Sequence, residues 1–210
     1  MLDELKIQSP ELLEHAKAIK KEFVTLENGA EGYMYTLDKT LRDQSPAKGD
    51  DGKFPMITII HGGPFGCSPQ DIFLIQRLFL VLQGYCLFVV NYRGSTGYGK
   101  DFLDSLLGHI GSRDVEDCGN LTKAAISQFA DLVDPKRVCV EGGSHGGFMT
   151  GWLIGHPEFK DLWCAAGLWN AVLDMSYMVQ STDIPDWIFA CCQNKDLENF
   201  GHITVEDNKE

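Results

Sequence analysis

The sequence predicts an α/β fold, a mostly parallel sheet flanked by helices on both faces, and three observations lead there. Apolar, β-branched runs at 55–60, 85–92 and 138–141 alternate with segments of helical periodicity. Each run stops at a turn-forming cluster: His61-Gly62-Gly63-Pro64, then Arg93-Gly94-Ser95, then Gly142-Gly143-Ser144. The residues able to do chemistry, His61, Arg93 and Ser144, all fall at these run ends, where open parallel sheets collect their sites. A chain of 210 residues is long enough for one domain with a substantial core.

Taken in order, Ser9-Pro10-Glu11 reads as a helix start, with Ser as N-cap and Pro in the first turn. Leu12, Ala16, Ile19 and Phe23 then recur at helical spacing, so a leader helix is expected over 1–22. Asn28-Gly29 lies between two strand-like runs, 23–26 and 33–37, and signals a hairpin. Residues 38–53 are rich in Gly, Pro, Asp and Lys and read as a surface loop. A buried strand is expected over 55–60, a helix over 71–83, a second buried strand over 85–92 and a glycine-rich loop over 93–99. A helix over 114–130 follows, with acids in its first turn that complement the helix dipole. The strand at 138–141, a helix from the following corner to about His156, and a strand near 163–168 complete the pattern. The expected organisation is a partial α/β domain over 23–194, ending before its last strands, and a polar, acidic, disordered tail over 195–210.

Composition narrows the function. A net charge of −12 argues against nucleic acid as a partner, and no apolar run is long enough to span a membrane. The acidic N-terminus lacks a signal-peptide core, so a cytoplasmic protein is expected. Seven cysteines without a CxxC pair or metal-like Cys/His spacing read as reduced thiols, and neither a metal nor a cofactor is expected.

The corner at 142–147 carries the chemistry. Gly142-x-Ser144-x-Gly146 between a strand and a helix fits a nucleophile elbow, in which the serine hydroxyl stands clear of a sharp turn. A Cβ at Gly142 or Gly146 would collide with the neighbouring strand or helix. An exposed serine so held can attack a carbonyl once a base removes its proton.

Three loops in order, His61-Gly62-Gly63-Pro64, the 91–99 segment Asn-Tyr-Arg-Gly-Ser-Thr-Gly-Tyr-Gly, and Gly142-Gly143-Ser144-His145-Gly146-Gly147, resemble the prolyl oligopeptidase family of serine peptidases. The segment Ser181-Thr182-Asp183-Ile184-Pro185-Asp186-Trp187 resembles its acylaminoacyl-peptidase branch. The likeness covers roughly 23–187. It implies an α/β-hydrolase fold and a Ser-Asp-His triad with Ser144 as nucleophile. It also implies an oxyanion hole made by the N–H groups of Gly63 and His145, which agrees with the donors expected beside an elbow. The implied substrate is a short N-acylated peptide. His61 and Gly62 either shape that hole or, in the case of His61, cap a strand end by hydrogen bonding. Arg93 is expected to brace its own loop.

In this fold the acid and the histidine follow the serine, each after a further strand. The ~66 residues after Ser144 are too few for two more strand–helix units of ordinary length. His145 is fixed beside the nucleophile, His156 reads as a helix C-terminal residue, and no motif places His15 or His109. His202 lies in the right direction for a general base, with Asp183, Asp186 or Asp196 as orienting acids. The expected readings are therefore a serine hydrolase whose site is completed elsewhere, an inactive binding or regulatory protein, or a weak esterase using the oxyanion hole alone. A sheet left open at one edge favours a homo-oligomer or association with a full-length relative.

Overall fold

The computed structural model describes residues 16–68 and 75–193. They form one six-stranded sheet in the order β1-β2-β4-β3-β5-β6. The strands are β1 (Ile19–Thr25), β2 (Glu31–Leu37), β3 (Phe54–Ile60), β4 (Cys86–Asn91), β5 (Val133–Gly143) and β6 (Ala165–Trp169). β2 runs antiparallel to β1 and β4, and β3 to β6 are parallel to one another. The expected mostly parallel sheet is present, with the 23–37 hairpin added along one edge.

The hairpin is longer than the sequence suggests. Seven residues of β1 pair with β2, from Ile19↔Leu37 to Thr25↔Glu31. Ile19 and Phe23, spaced as if on a helix, therefore belong to a strand, and 19–22 correct the end of the predicted leader helix. The cause is cross-strand pairing, a long-range gain that local periodicity does not register. The rest of that helix through residue 15, including His15, lies outside the described residues, as do 71–74 of the predicted 71–83 helix, Asp196, His202 and the 195–210 tail.

The helices are α1 (Lys39–Arg42), α2 (Ile75–Leu82), α3 (Lys100–Asp104), α4 (Arg113–Gln128), α5 (His145–Gly155), α6 (Met175–Ser181) and α7 (Pro185–Gln193). The short α1 interrupts the predicted 38–53 loop because Asp38 caps it, accepting from the Leu41 N–H at 3.1 Å. Periodicity in the sequence signals neither α6 nor α7.

Strand alternation sorts side chains onto the two faces. Met34, Met56, Ile60, Phe88, Val90, Val138 and Val140 join one core with Val115, Cys118 and Leu121 of α4 and Phe148, Met149 and Leu153 of α5. Tyr33, Tyr35, Leu87, Val89 and Ile59 join the opposite core with Leu78 and Val81 of α2. β4, buried at every position, lies inside the sheet. β6 differs: Ala165, Ala166, Leu168 and Trp169 are exposed, and among the described residues no strand pairs with its outer edge. Leu173, Tyr177 and Ile184, beyond β6, are also exposed.

Candidate active site

The site forms where β3, β4 and β5 end. β5 turns directly into α5 at Ser144, whose φ of 55° and ψ of −120° lie where a residue with a Cβ is strained. Glycine spacing permits the turn. A Cβ on Gly142 would sit 2.3 Å from the Gly146 carbonyl, and one on Gly146 would sit 2.3 Å from the Ile60 oxygen. The corner is pinned further by the Ser144 N–H, which donates to the Trp169 carbonyl of β6 at 2.9 Å. Ser144 is exposed. Among the described residues its hydroxyl has no hydrogen-bond partner.

The loop after β3 lies against this corner. A Cβ on Gly62 would be 3.3 Å from the Ser144 Cβ and 3.0 Å from the Gly143 oxygen, a tight fit that the missing side chain relieves. Gly63 follows with φ 135°, ahead of a cis peptide to Pro64. Gly63 is exposed, and among the described residues its N–H is unpaired. His145 opens α5, where the first N–H groups of a helix have no intrahelical acceptor. The structure thus sets Gly62 against Ser144, with Gly63 and His145 next to them along the chain.

His61 braces this loop rather than pointing at the serine. Its Nδ1–H donates to the Gly62 carbonyl at 2.7 Å, its Nε2 is 2.8 Å from Ser95 Oγ, and its ring stacks on Tyr92 at 4.4 Å. Burial pushes its pKa down to about 4, against the Gly62 hydrogen bond, so it is neutral, and the Ser95 hydroxyl beside its Nε2 also donates to the Tyr92 carbonyl at 2.7 Å. The far end of the loop is held by Asn91, whose side chain accepts from the Ser68 N–H and donates to the Ser68 carbonyl.

Arg93 is the brace the sequence suggests. Its Nε and Nη2 reach the two oxygens of Asp117, both at 2.8 Å, and its backbone N–H donates to the same carboxylate. Burial opposes its charge, but the Asp117 bonds and charge outweigh this and raise its pKa.

One functional contact has no motif in the sequence. The His145 side chain turns inward, 1% exposed, and its Nε2–H donates at 2.8 Å to Asp114 Oδ2, 0% exposed. Asp114 Oδ1 accepts from the Gly111 and Val115 N–H groups, while His145 Nδ1 is buried without a partner. By sequence Asp114 and Asp117 are early-helix acids answering a helix dipole. Both are instead buried clamps, tying α4 to the elbow and to the 93–99 loop. An acid within an otherwise apolar helix stripe, next to Val115 and Cys118, is the one local sign of it.

The remaining histidines stand apart. His156 ends α5, ~18 Å along the helix from Ser144, and stacks on Phe159. His109 is exposed in a loop. With His145 held by Asp114 and His61 by Ser95, none of the described histidines reaches the Ser144 hydroxyl. Asp183 and Asp186 flank the start of α7, and among the described residues no hydrogen bond joins either to Ser144.

Residues 73–204, more than half of the chain, match the model of the prolyl oligopeptidase family. The chain is 42% identical over 160 residues to an acylamino-acid-releasing enzyme of Arabidopsis thaliana, covering 76% of this chain and 20% of that relative. It is 37% identical over 138 residues to the acylamino-acid-releasing enzyme of Rattus norvegicus, covering 66% of this chain and 18% of the relative. The chain thus spans about a fifth of these relatives. Among solved structures, a Pyrococcus horikoshii acylaminoacyl peptidase superposes with a TM-score of 0.72 at 24% identity, over 90% of this chain and 29% of the other. A puromycin-hydrolyzing peptidase of Mycobacterium tuberculosis gives 0.72 at 24% identity, over 93% and 29%. The fold is that of the α/β-hydrolases.

Proposed function

From the premise that this chain belongs to the prolyl oligopeptidase family of serine peptidases, we propose that it is the nucleophile-bearing portion of a hydrolase acting on short N-acylated peptides. The observation that carries this reading is Ser144, exposed at φ 55° with a glycine loop against it. Strain of this kind persists only where the surroundings impose it, and an idle serine would not require it.

In the proposed reaction Ser144 Oγ attacks the carbonyl carbon of the acylated residue itself while a base takes its proton. The Gly63 and His145 N–H groups donate to the developing oxyanion. Collapse of the tetrahedral species expels the peptide amine, which takes the proton back from the base. Water, deprotonated by the same base, then releases the acylated amino acid. The base lies outside the described residues, either at His202 or on polypeptide that pairs with the open β6 edge. That edge, with exposed Leu168 and Trp169, suits an added strand and supports self-association or association with a longer relative.

A second reading rests on the unpartnered Ser144 hydroxyl: a binding protein that keeps the oxyanion donors to hold an acyl or carboxylate group. A fluorophosphonate probe distinguishes the two, with adducts located by mass spectrometry. Rapid labelling of Ser144, lost in Ser144→Ala, supports the hydrolase, and loss in His202→Ala as well assigns the base. A folded protein whose Ser144 stays unlabelled both alone and mixed with a full-length relative overturns the hydrolase reading and leaves the binding one.

A further inference from the structure

Cys139 lies in β5 and Cys164 immediately precedes β6, so the two thiols sit on neighbouring parallel segments at the open edge of the sheet. Their Sγ atoms are 3.5 Å apart. The backbones are already tied there, since the Cys164 N–H donates to the Val138 carbonyl at 2.8 Å and Cys139 pairs with Ala165. Cys164 is one residue before Ala165, the partner of Cys139, so a strand spacing of ~4.8 Å and a residue step of ~3.3 Å put the two Cα atoms about 6 Å apart, within the ~4.4–6.8 Å that a disulfide spans.

We propose that Cys139 and Cys164 are an oxidisable dithiol, and that its disulfide is a reversible staple holding β6 to β5. The other cysteines do not offer this geometry: Cys86, Cys118 and Cys191 are buried, and among the described residues no other pair of sulfhydryls is in contact. The two partners also differ in the way a stepwise exchange requires. Cys164 is exposed and takes the first step, while Cys139 is half-buried and takes the second.

The oxidant is a low-molecular-weight disulfide such as oxidised glutathione. The Cys164 thiolate attacks one of its sulfurs, forming a mixed disulfide and expelling one glutathione thiolate. Cys139, once deprotonated, attacks Cys164 Sγ, forming the internal bond and expelling the second glutathione. Two protein thiols lose two electrons in all, and one small disulfide becomes two thiols. Burial and the Cys164 contact push the Cys139 thiol up to about 11, so the second step is the slow one and accelerates with pH.

The staple matters because β6 is held from one side only among the described residues. The same strand pair carries the Ser144 N–H to Trp169 carbonyl bond at its other end. Locking the start of β6 restrains the strand that supports the elbow.

The test is incubation of the folded chain with excess oxidised glutathione at pH 8, alkylation of free thiols, and tryptic mapping. Cleavage after Arg137 and Lys160 leaves Cys139 as the sole cysteine of its peptide, while the Cys164 peptide also holds Cys191 and Cys192, so Cys164→Ser is mapped in parallel. The expected result is a Cys139–Cys164 crosslink, absent in Cys164→Ser, removed by dithiothreitol, and accompanied by a Tm about 5–10 °C higher. Accumulation of Cys164 as a glutathione adduct with Cys139 still free overturns the pair. A crosslink that persists in Cys164→Ser overturns the assignment, and one that lowers Tm overturns the staple.

Discussion

Replacing Asp114 by alanine tests whether the elbow is clamped from within. The carboxylate is fully buried and serves three donors: His145 Nε2 at 2.8 Å and the Gly111 and Val115 N–H groups at 2.8 and 2.9 Å. Its removal leaves all three in a site closed to water, and His145 Nδ1 already lacks a partner. Each buried donor left without an acceptor costs about 1–3 kcal/mol before relaxation, so losing the acceptor of all three should cost about 3–5 kcal/mol. A domain of this size loses ~2–4 °C of Tm per kcal/mol, so Tm falls by about 6–20 °C. Asp114→Asn provides the control. Its carbonyl still accepts from both N–H groups, but its amide faces His145 Nε2, and the histidine must move its proton to Nδ1, where no acceptor waits. The expected cost is about 1–2 kcal/mol. Thermal and urea melts measure both, and fluorophosphonate labelling of Ser144 reports whether the His145 N–H has moved. An alanine variant within about 1 kcal/mol of the parent refutes the clamp, since a buried donor set that loses its acceptor cannot be neutral.

The other expectations are simpler. Ser144→Gly should raise stability by about 1 kcal/mol while abolishing probe labelling, because glycine adopts φ 55° without strain; a melt showing destabilisation contradicts it. Gly142→Ala should cost about 3–5 kcal/mol or prevent folding, since its Cβ meets Gly146 backbone at 2.3 Å; soluble expression with an unchanged Tm would count against so crowded a corner. His61 has a folded pKa near 4 against 6.5 when free, so its stabilisation is present above pH 6.5 and is lost as pH falls toward 4. The loss amounts to about 3 kcal/mol, and melts of His61→Gln from pH 7 to 4 should show a correspondingly shallower decline than the parent.

What the sequence determined by itself was local. A strand that ends in Gly-x-Ser-x-Gly has few backbone solutions, so Ser144 and its glycines were legible, and Asn28-Gly29 announced its hairpin for the same reason. The apolar runs at 55–60 and 85–92 were long and β-branched enough to appear as the buried strands they are. Helical spacing misled at Ile19 and Phe23, because pairing with β2 outweighs a pattern that two residues happen to satisfy. Only the tertiary structure decided the strand order, the open edge at β6, and the partners of the polar groups within the core. Asp114 meets His145 across 31 residues, Asp117 meets Arg93 across 24, and Cys139 meets Cys164 across 25. Such contacts arise when packing removes water from charges and thiols that are distant along the chain, and a burial cost set by the whole fold leaves no local trace in the sequence.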